Sequence, residues 1–533
     1  MGRKRFLFHC TGAMRNNLFR SQKCRIQPLS VPSHGDYYKA PLPSVSNTFT
    51  ALWYEPGPAP NFSCAASFLC ITISTVSIVL FSRVRDRTGQ EVFLQTYELI
   101  APCHFGMESV VKNEIYDLGY EITDVSDGRV TFLGDADAIA RANIGLRTAE
   151  RILLKVGQFE ARTWEELFQG TYALPWEELL PCDAKFWVTK ASSVKSALFS
   201  PSDIQSVMKK AMVEKMKTRY HLAVFPEDGD AYPVRVFLMK DQVTAAIDTS
   251  GESLHKRGYR RMAVKAPIAE NLAAGLILLT PWRGDRILVD PFCGSGTIPI
   301  EAAMIAANIA PGMHRHFTAE HWTGLIDRRY WKDAREEAED MVDLSIDTDI
   351  QGYDIDPDAV AAARANAAQA GVSSLLHLQV RPVDQLSHPK KYGFIITNPP
   401  YGERIASFTP GSNAPKSVAE ARAEREAAGR SISHDGQKSD RDTSPAAASR
   451  RFGNGSLPDG APGVPDEIAS LYRTLGERFR ALDSWSLYLI TSYEDCERQL
   501  GMHAAKNRKI YNGMLRTYFY QFPGPKPPKK NSR

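Results

Sequence analysis

The sequence predicts a multidomain α/β protein. A β-α-β-β-α-β unit of ferredoxin-like type is followed by a second, basic α/β domain and then by an open, mostly parallel Rossmann-like sheet. Three observations predict this. Strand-like and helical patterns alternate from Tyr97 onward. An apolar strand runs into a glycine-rich turn and a helix at Asp290–Thr297. Later strands again deliver polar residues at their C-terminal ends, where open parallel sheets bind ligands.

The chain has 533 residues, enough for several domains, and 43% hydrophobic residues, enough for sizeable cores. A net charge of +4 admits a nucleic-acid partner only if the cations are clustered. Eight cysteines are scattered, with no C-x-x-C pair and no Cys/His cluster at metal spacing, so a reducing cytoplasm and no metal site are expected.

Residues 1–95 differ from the rest. Met1 to Gly35 holds seven Lys or Arg and no acid, and Ser63–Ser82 is apolar and uncharged. A membrane anchor, a targeting segment and an over-long gene start all fit this pattern. The Ser, Thr and Cys content makes a weak span, so a disordered extension without stable membrane association is the preferred reading.

The ferredoxin-like unit is assigned to 96–155. Five of its six elements are placed directly: a strand in YELIAPC, a helix in GMESVVKNEIYDLGY, a strand in GRVTFLG, a helix across DADAIARANIGLRTAERIL and a strand in LLKVGQF. The second α/β domain takes 156–265. It carries a basic stretch with Lys195, Lys209, Lys210, Lys217 and Arg219, then a second cluster with Lys256, Arg257, Tyr259 and Arg260. A lysine-rich stretch is often only a solvated helix face. Two clusters in one segment favour a phosphate-binding surface, and a neighbouring tyrosine could stack on a base.

The chemistry is expected in 266–525. The strand of DRILVD ends at Asp290, and Phe292, Gly294, Ser295, Gly296 and Thr297 form the turn into the next helix. Glycines let the backbone approach a ligand, and a helix N-terminus offers free N–H groups to a carboxylate. With Asp290 to hold an ammonium, the pair suits an amino-acid zwitterion better than a pyrophosphate. Asp354, ending the strand of IQGYD, can accept from two ribose hydroxyls, and Asp384 can meet an adenine amine. Asp356 is a secondary candidate or a helix cap. The strand of YGFIIT then runs into Asn398-Pro399-Pro400-Tyr401. Oxygen acceptors from Asn398 and Pro399 could hold the hydrogens of a base amine, turning its lone pair toward an electrophilic methyl, while Tyr401 stacks on the base.

These motifs, with YELIAPCHFGMESVVKNEI, PSDIQSVMKKAMVEKM, IDTSGESLHKRGYR, APIAENLAAGLILL and KNRKIYNGMLRTYFYQF, make the chain resemble the THUMP-domain RNA methyltransferases, specifically the bacterial 23S rRNA guanine-N2 methyltransferases. The resemblance spans Tyr97 to about Phe522. It implies an RNA-binding THUMP domain, S-adenosyl-L-methionine as cofactor, and guanine N2 in 23S rRNA or a ribosome assembly intermediate as target. The N-P-P-Y motif alone cannot choose guanine N2 over adenine N6, so adenine methylation of DNA or RNA stays open. A non-catalytic RNA-binding assembly factor is disfavoured by the complete set of site motifs. Two stretches depart from the family pattern: residues 1–95 and an insertion at 408–465, low in hydrophobicity and expected to be a disordered loop. A basic tail closes the chain at 526–533.

Overall fold

The computed structural model describes residues 69–73, 78–85, 91–261, 267–401, 466–513 and 515–528, with side chains from residue 95 onward. The insertion at 408–465 and residues 1–68 lie outside them.

Part of the N-terminal extension departs from the expectation of disorder. Strands β1 (Leu69–Ile73) and β2 (Ile78–Arg85) form an antiparallel pair, and β2 continues onto the start of β3 (Glu91–Pro102). The apolar run ITISTVSIVL is rich in β-branched residues, which suit a pleated strand better than a helix. Among the described residues no helix is long and apolar enough to cross a membrane.

The ferredoxin-like unit follows as β3, α1 (Glu108–Asp117), β4 (Glu121–Ser126), β5 (Arg129–Gly134), α2 (Ala136–Gly145) and β6 (Leu153–Glu160). β3 lies between β5 and β6, with β4 outside β5. Asp135 caps α2 by accepting from Ala138 N at 3.0 Å. The helix is shorter than the sequence pattern predicts, because Leu146 turns extended at ψ 120°. Half-buried Glu114 then accepts from the backbone N–H groups of Arg147 and Thr148, giving the chain after the helix a polar partner.

The second domain holds α3 (Trp164–Tyr172), α4 (Trp176–Leu179), β7 (Lys185–Val194), α5 (Pro201–Tyr220), β8 (Ala231–Met239) and β9 (Gln242–Asp248). Thr163 and Glu166 close a capping box on α3. α5 is the crossover between the parallel strands β7 and β8, and it buries Ile204, Met208, Ala211, Met212 and Met216 on one face. β9 pairs with β6, so the two units share one sheet.

The remaining described elements build the second sheet: α6 (Glu270–Leu278), β10 (Leu288–Asp290), α7 (Thr297–Ala306), α8 (Arg328–Asp340), β11 (Ile350–Asp354), α9 (Pro357–Gln369), β12 (Leu376–Val380), β13 (Phe394–Thr397), α10 (Asp466–Arg480), β14 (Ser486–Thr491), α11 (Cys496–Leu500), β15 (Lys506–Asn512) and β16 (Leu515–Phe522). Its order is β12-β11-β10-β13-β14-β16-β15, parallel except where β16 runs against β14 and β15. The order reverses beside β10, between β11 and β13, and the crevice at such a switch point is where an α/β sheet takes its ligand.

The two sheets are docked through packed and hydrogen-bonded contacts. Trp322 stacks on Tyr232 at 4.6 Å and donates its indole N–H to the Ala231 carbonyl at 2.9 Å. Arg141 on α2 grips Glu337 on α8 with two bonds of 2.9 and 2.7 Å. One apolar core runs through both regions, from Leu99 to Phe519.

Candidate active site

At the switch point, the ends of β10, β11 and β13 meet. Asp290 is buried, and its Oδ1 accepts from the Thr397 hydroxyl at 2.6 Å and from Phe292 N at 3.1 Å. Thr397, the residue before Asn398, was not singled out from the sequence, because only the fold brings β13 beside β10. Asp354 joins the other side: its Oδ2 accepts from Gly294 N at 2.9 Å and its Oδ1 from Asp356 N at 3.0 Å. Asp356 itself caps α9, accepting from Asp358 N at 2.9 Å.

The turn between β10 and α7 needs its glycines. Gly294 and Gly296 have φ of +53° and +84°, and a Cβ on Gly296 would come within 2.9 Å of the Ala363 Cβ. No side chain caps the α7 N-terminus, so its first N–H groups are left for a ligand carboxylate. The Ser295 and Thr297 side chains are buried; Thr297 Oγ1 is taken by Arg260, while Ser295 Oγ has no hydrogen-bond partner among the described residues.

A cavity of about 660 Å³, within the usual range for small-molecule sites, opens beside this turn. Phe292, Asp354 and Asp384 line it together, as the sequence reading requires. Asp384 sits exposed on a short turn after β12. Two further contributors were missed. Ile355 lines the cavity with its side chain 73% exposed, an apolar surface suited to lie against a planar base. Ser470, Leu471 and Arg473 of α10 form the opposite wall. Ile355 had a signal, an apolar residue between two acids in YDIDP, but α10 lies beyond the insertion and had none.

Asp290 lies behind this lining, with Oδ2 making no hydrogen bond among the described residues. Burial pushes its carboxyl up to about 7, helped by the nearby Asp354 charge and opposed by the Thr397 and Phe292 bonds. A carboxylate must be ionised to hold an ammonium, so affinity for an amino-acid ligand should rise as pH rises through about 7. For a single group the gain from pH 6 to pH 8 is roughly tenfold. Calorimetric titration of S-adenosylmethionine checks this, with Asp290→Asn expected to flatten the profile. The unliganded protein should respond in the opposite sense, losing stability as pH rises from about 4 to about 7, because its raised pKa favours the protonated acid.

Asn398 follows β13, with its side-chain Oδ1 buried and without a hydrogen-bond partner among the described residues. Such an acceptor is costly unless something occupies it. Tyr401 differs from the expected open stacking face. Its side chain is 3% exposed, packed in the core that holds Tyr472 and Tyr493, and its hydroxyl accepts from Asn512 Nδ2 at 3.3 Å. It ties the N-P-P-Y motif to the C-terminal hairpin.

The predicted RNA-contact residues divide. Lys195, Lys210 and Arg219 are exposed, and no described acid pairs with them. Lys256 is exposed but held by Glu252 at 2.8 Å. Lys217 pairs with Glu214 at 2.9 Å. Lys209 turns inward to Glu227, the Phe186 carbonyl and the Phe186 ring, so it is not a free phosphate contact. Arg257, Tyr259 and Arg260 are corrected outright, because their side chains face the protein interior. Arg257 is 2% exposed beside fully buried Glu301, at 3.6 Å, and Tyr259 donates to the same carboxylate at 3.0 Å. Arg260 donates to Thr297 Oγ1 and the Ile268 carbonyl, each at 2.9 Å, and pairs with Glu270 at 3.2 Å. The segment read as an RNA surface instead fastens the second domain to α6 and α7.

Three family models match the chain: an RlmL ferredoxin-like domain over residues 98–153, a THUMP domain over 161–248 and an RMKL-like methyltransferase domain over 257–431. The Bacillus subtilis (strain 168) protein YpsC, provisionally named an RNA methyltransferase, is 39% identical over 80% of this chain and 96% of its own length. The ribosomal RNA large subunit methyltransferase K/L of Desulfotalea psychrophila is 32% identical over 58% of this chain, but only 44% of that longer protein is covered. Among solved structures, SMU.472, provisionally described as a methyltransferase and crystallised with SAH, is 38% identical. It superposes with a TM-score of 0.66 over 81% of this chain and 99% of that chain.

Proposed function

The chain belongs to the THUMP-domain RNA methyltransferases and uses S-adenosylmethionine, and on that premise we propose that it methylates the exocyclic N2 of a guanine in large-subunit ribosomal RNA. The observation that carries the amine chemistry is the buried Oδ1 of Asn398 at the end of β13, without a partner among the described residues. It stands next to Thr397, whose hydroxyl is bonded to Asp290 at the end of β10. The choice of large-subunit rRNA draws on the relative named for that substrate, and the choice of guanine N2 on the family resemblance.

The residues fit the cofactor. The positive-φ turn and open α7 N-terminus suit the carboxylate, Asp290 Oδ2 the ammonium, Asp354 the ribose and Asp384 the adenine amine, with Ile355 against the ring. When bound, S-adenosylmethionine supplies an electrophilic sulfonium methyl. The chain's own part is to place the nucleophile. Asn398 Oδ1 accepts one amine hydrogen and the Pro399 carbonyl is proposed to accept the other, so that the nitrogen lone pair is no longer turned fully into the ring. Catalysis is then mainly positioning, and the displaced proton passes to solvent.

Nucleoside mass spectrometry decides between target bases. Ribosomal RNA from cells lacking the gene, incubated with the protein and labelled cofactor, should gain N2-methylguanosine. N6-methyladenosine instead would reassign the base, and label entering DNA but not RNA would reject the RNA reading.

A further inference from the structure

The C-terminal hairpin carries cations that the site described above does not use. Lys506, Arg508 and Lys509 lie on β15, the edge strand of its sheet, and Arg516 on β16. Glu494 reaches Arg516 at 3.8 Å, and no described acid pairs with the other three. The register sets Tyr511 opposite Arg516 and Lys509 opposite Tyr518. With side chains alternating along each strand, these four share one face of the hairpin. Lys509 Nζ lies 5.1 Å from the Tyr511 ring centre, and the Arg516 guanidinium 5.6 Å from that of Tyr518.

The face continues onto the ferredoxin-like unit. Phe105, 44% exposed, meets the Tyr511 ring edge-on at 6.4 Å. The neighbouring Gly106 approaches so closely that a Cβ there would lie 3.1 Å from the Lys509 carbonyl oxygen. At the hairpin tip, Asn512, whose side chain alternates to the other face, donates to the Tyr401 hydroxyl. The hairpin that carries this strip of cations and aromatic rings is therefore anchored at its tip to the motif that is to hold the target amine.

We propose that this face, Lys509, Tyr511, Arg516 and Tyr518 together with Phe105, binds the single-stranded RNA flanking the target nucleotide. The inference rests on the RNA-methylation reading above. Lys509 and Arg516 neutralise phosphates, and Phe105 stacks on an unpaired base. Interleaved cations and aromatic rings are the chemistry that single strands recruit. A base presented to Asn398 must also bring its neighbouring nucleotides past this hairpin. Edge-strand lysines also guard sheets against edge-to-edge pairing, so the test must separate the two roles.

Full-length protein carrying Lys509→Ala and Arg516→Ala is compared with wild type for binding to rRNA from cells lacking the gene and to a short oligouridylate. Losing two single-strand phosphate contacts should flatten the slope of log affinity against log salt by about 1.4. Phe105→Ala should weaken oligouridylate binding about tenfold with the slope unchanged. S-adenosylmethionine affinity, the control for folding, should not move. Unchanged RNA affinity and slope in a folded double variant would overturn the proposal. So would a variant that self-associates while its monomer still binds RNA normally, since the cations would then only guard the edge. If wild type binds neither RNA, the substrate reading itself falls.

Discussion

Asn398→Ala should lower the single-turnover methylation rate by about 10²- to 10³-fold while leaving affinity for cofactor and RNA within a few-fold of wild type. The size is that of losing one well-placed transition-state acceptor. The split between rate and binding follows from where the residue sits. Its Oδ1 is buried and has no partner among the described residues, so the energy of filling it is available to whatever amine arrives. That contact strengthens as the nitrogen lone pair turns toward the methyl and the N–H bonds become more acidic. RNA affinity, by contrast, is the sum of many phosphate contacts that Asn398 does not make. Equilibrium binding measured beside single-turnover rates keeps the two apart. A variant with near-normal turnover would mean that the amine is held elsewhere.

The methyltransferase sheet was legible because its strands obey one rule that sequence carries openly. An apolar run ends in a residue that a ligand can use, as at Asp290, Asp354 and Asn398, and the fold gathers those ends at one switch point. What the pattern could not supply were partners distant in the chain. Thr397 matters because β13 lies beside β10, and α10 reaches the cavity from beyond the insertion. Tyr401 looked free for stacking because nothing nearby in sequence announces Asn512 and the tyrosine-rich core around it. The first strands were hidden for another reason: a run of Ile, Thr, Val and Ser suits a weak membrane span and a strand equally well.

The basic segment His255–Arg261 is the instructive error. A cation in a sequence shows its charge but not its partner, and the signal for burial lay elsewhere. Glu301 is a lone acid inside the apolar helix α7, and Glu270 opens the apolar helix α6. An acid in such company calls for an inward-facing cation, and Arg257 and Arg260 supply it.

Arg257→Ala should therefore destabilise the protein by about 3–5 kcal/mol, the cost of stranding a buried charge, and leave RNA affinity and its salt dependence unchanged. Arg257 is 2% exposed and Glu301 not exposed at all, so water cannot replace the lost guanidinium. Tyr259 would remain as a neutral donor to Glu301, too little to compensate a full charge. The Leu254 and Arg147 carbonyls, now satisfied by the guanidinium, would lose their donors as well. Pairing Arg257→Met with Glu301→Leu removes both charges while filling the space, and should recover part of the loss, because a buried ion pair adds little over well-packed apolar groups; the rest remains in the Tyr259 hydroxyl and the Leu254 and Arg147 carbonyls, left without partners. Urea unfolding of the single and double variants, read beside RNA binding over a range of salt, separates the roles. A stable Arg257→Ala protein whose RNA affinity falls, with a flatter salt slope, would return Arg257 to the RNA surface and remove it from the joint between domains.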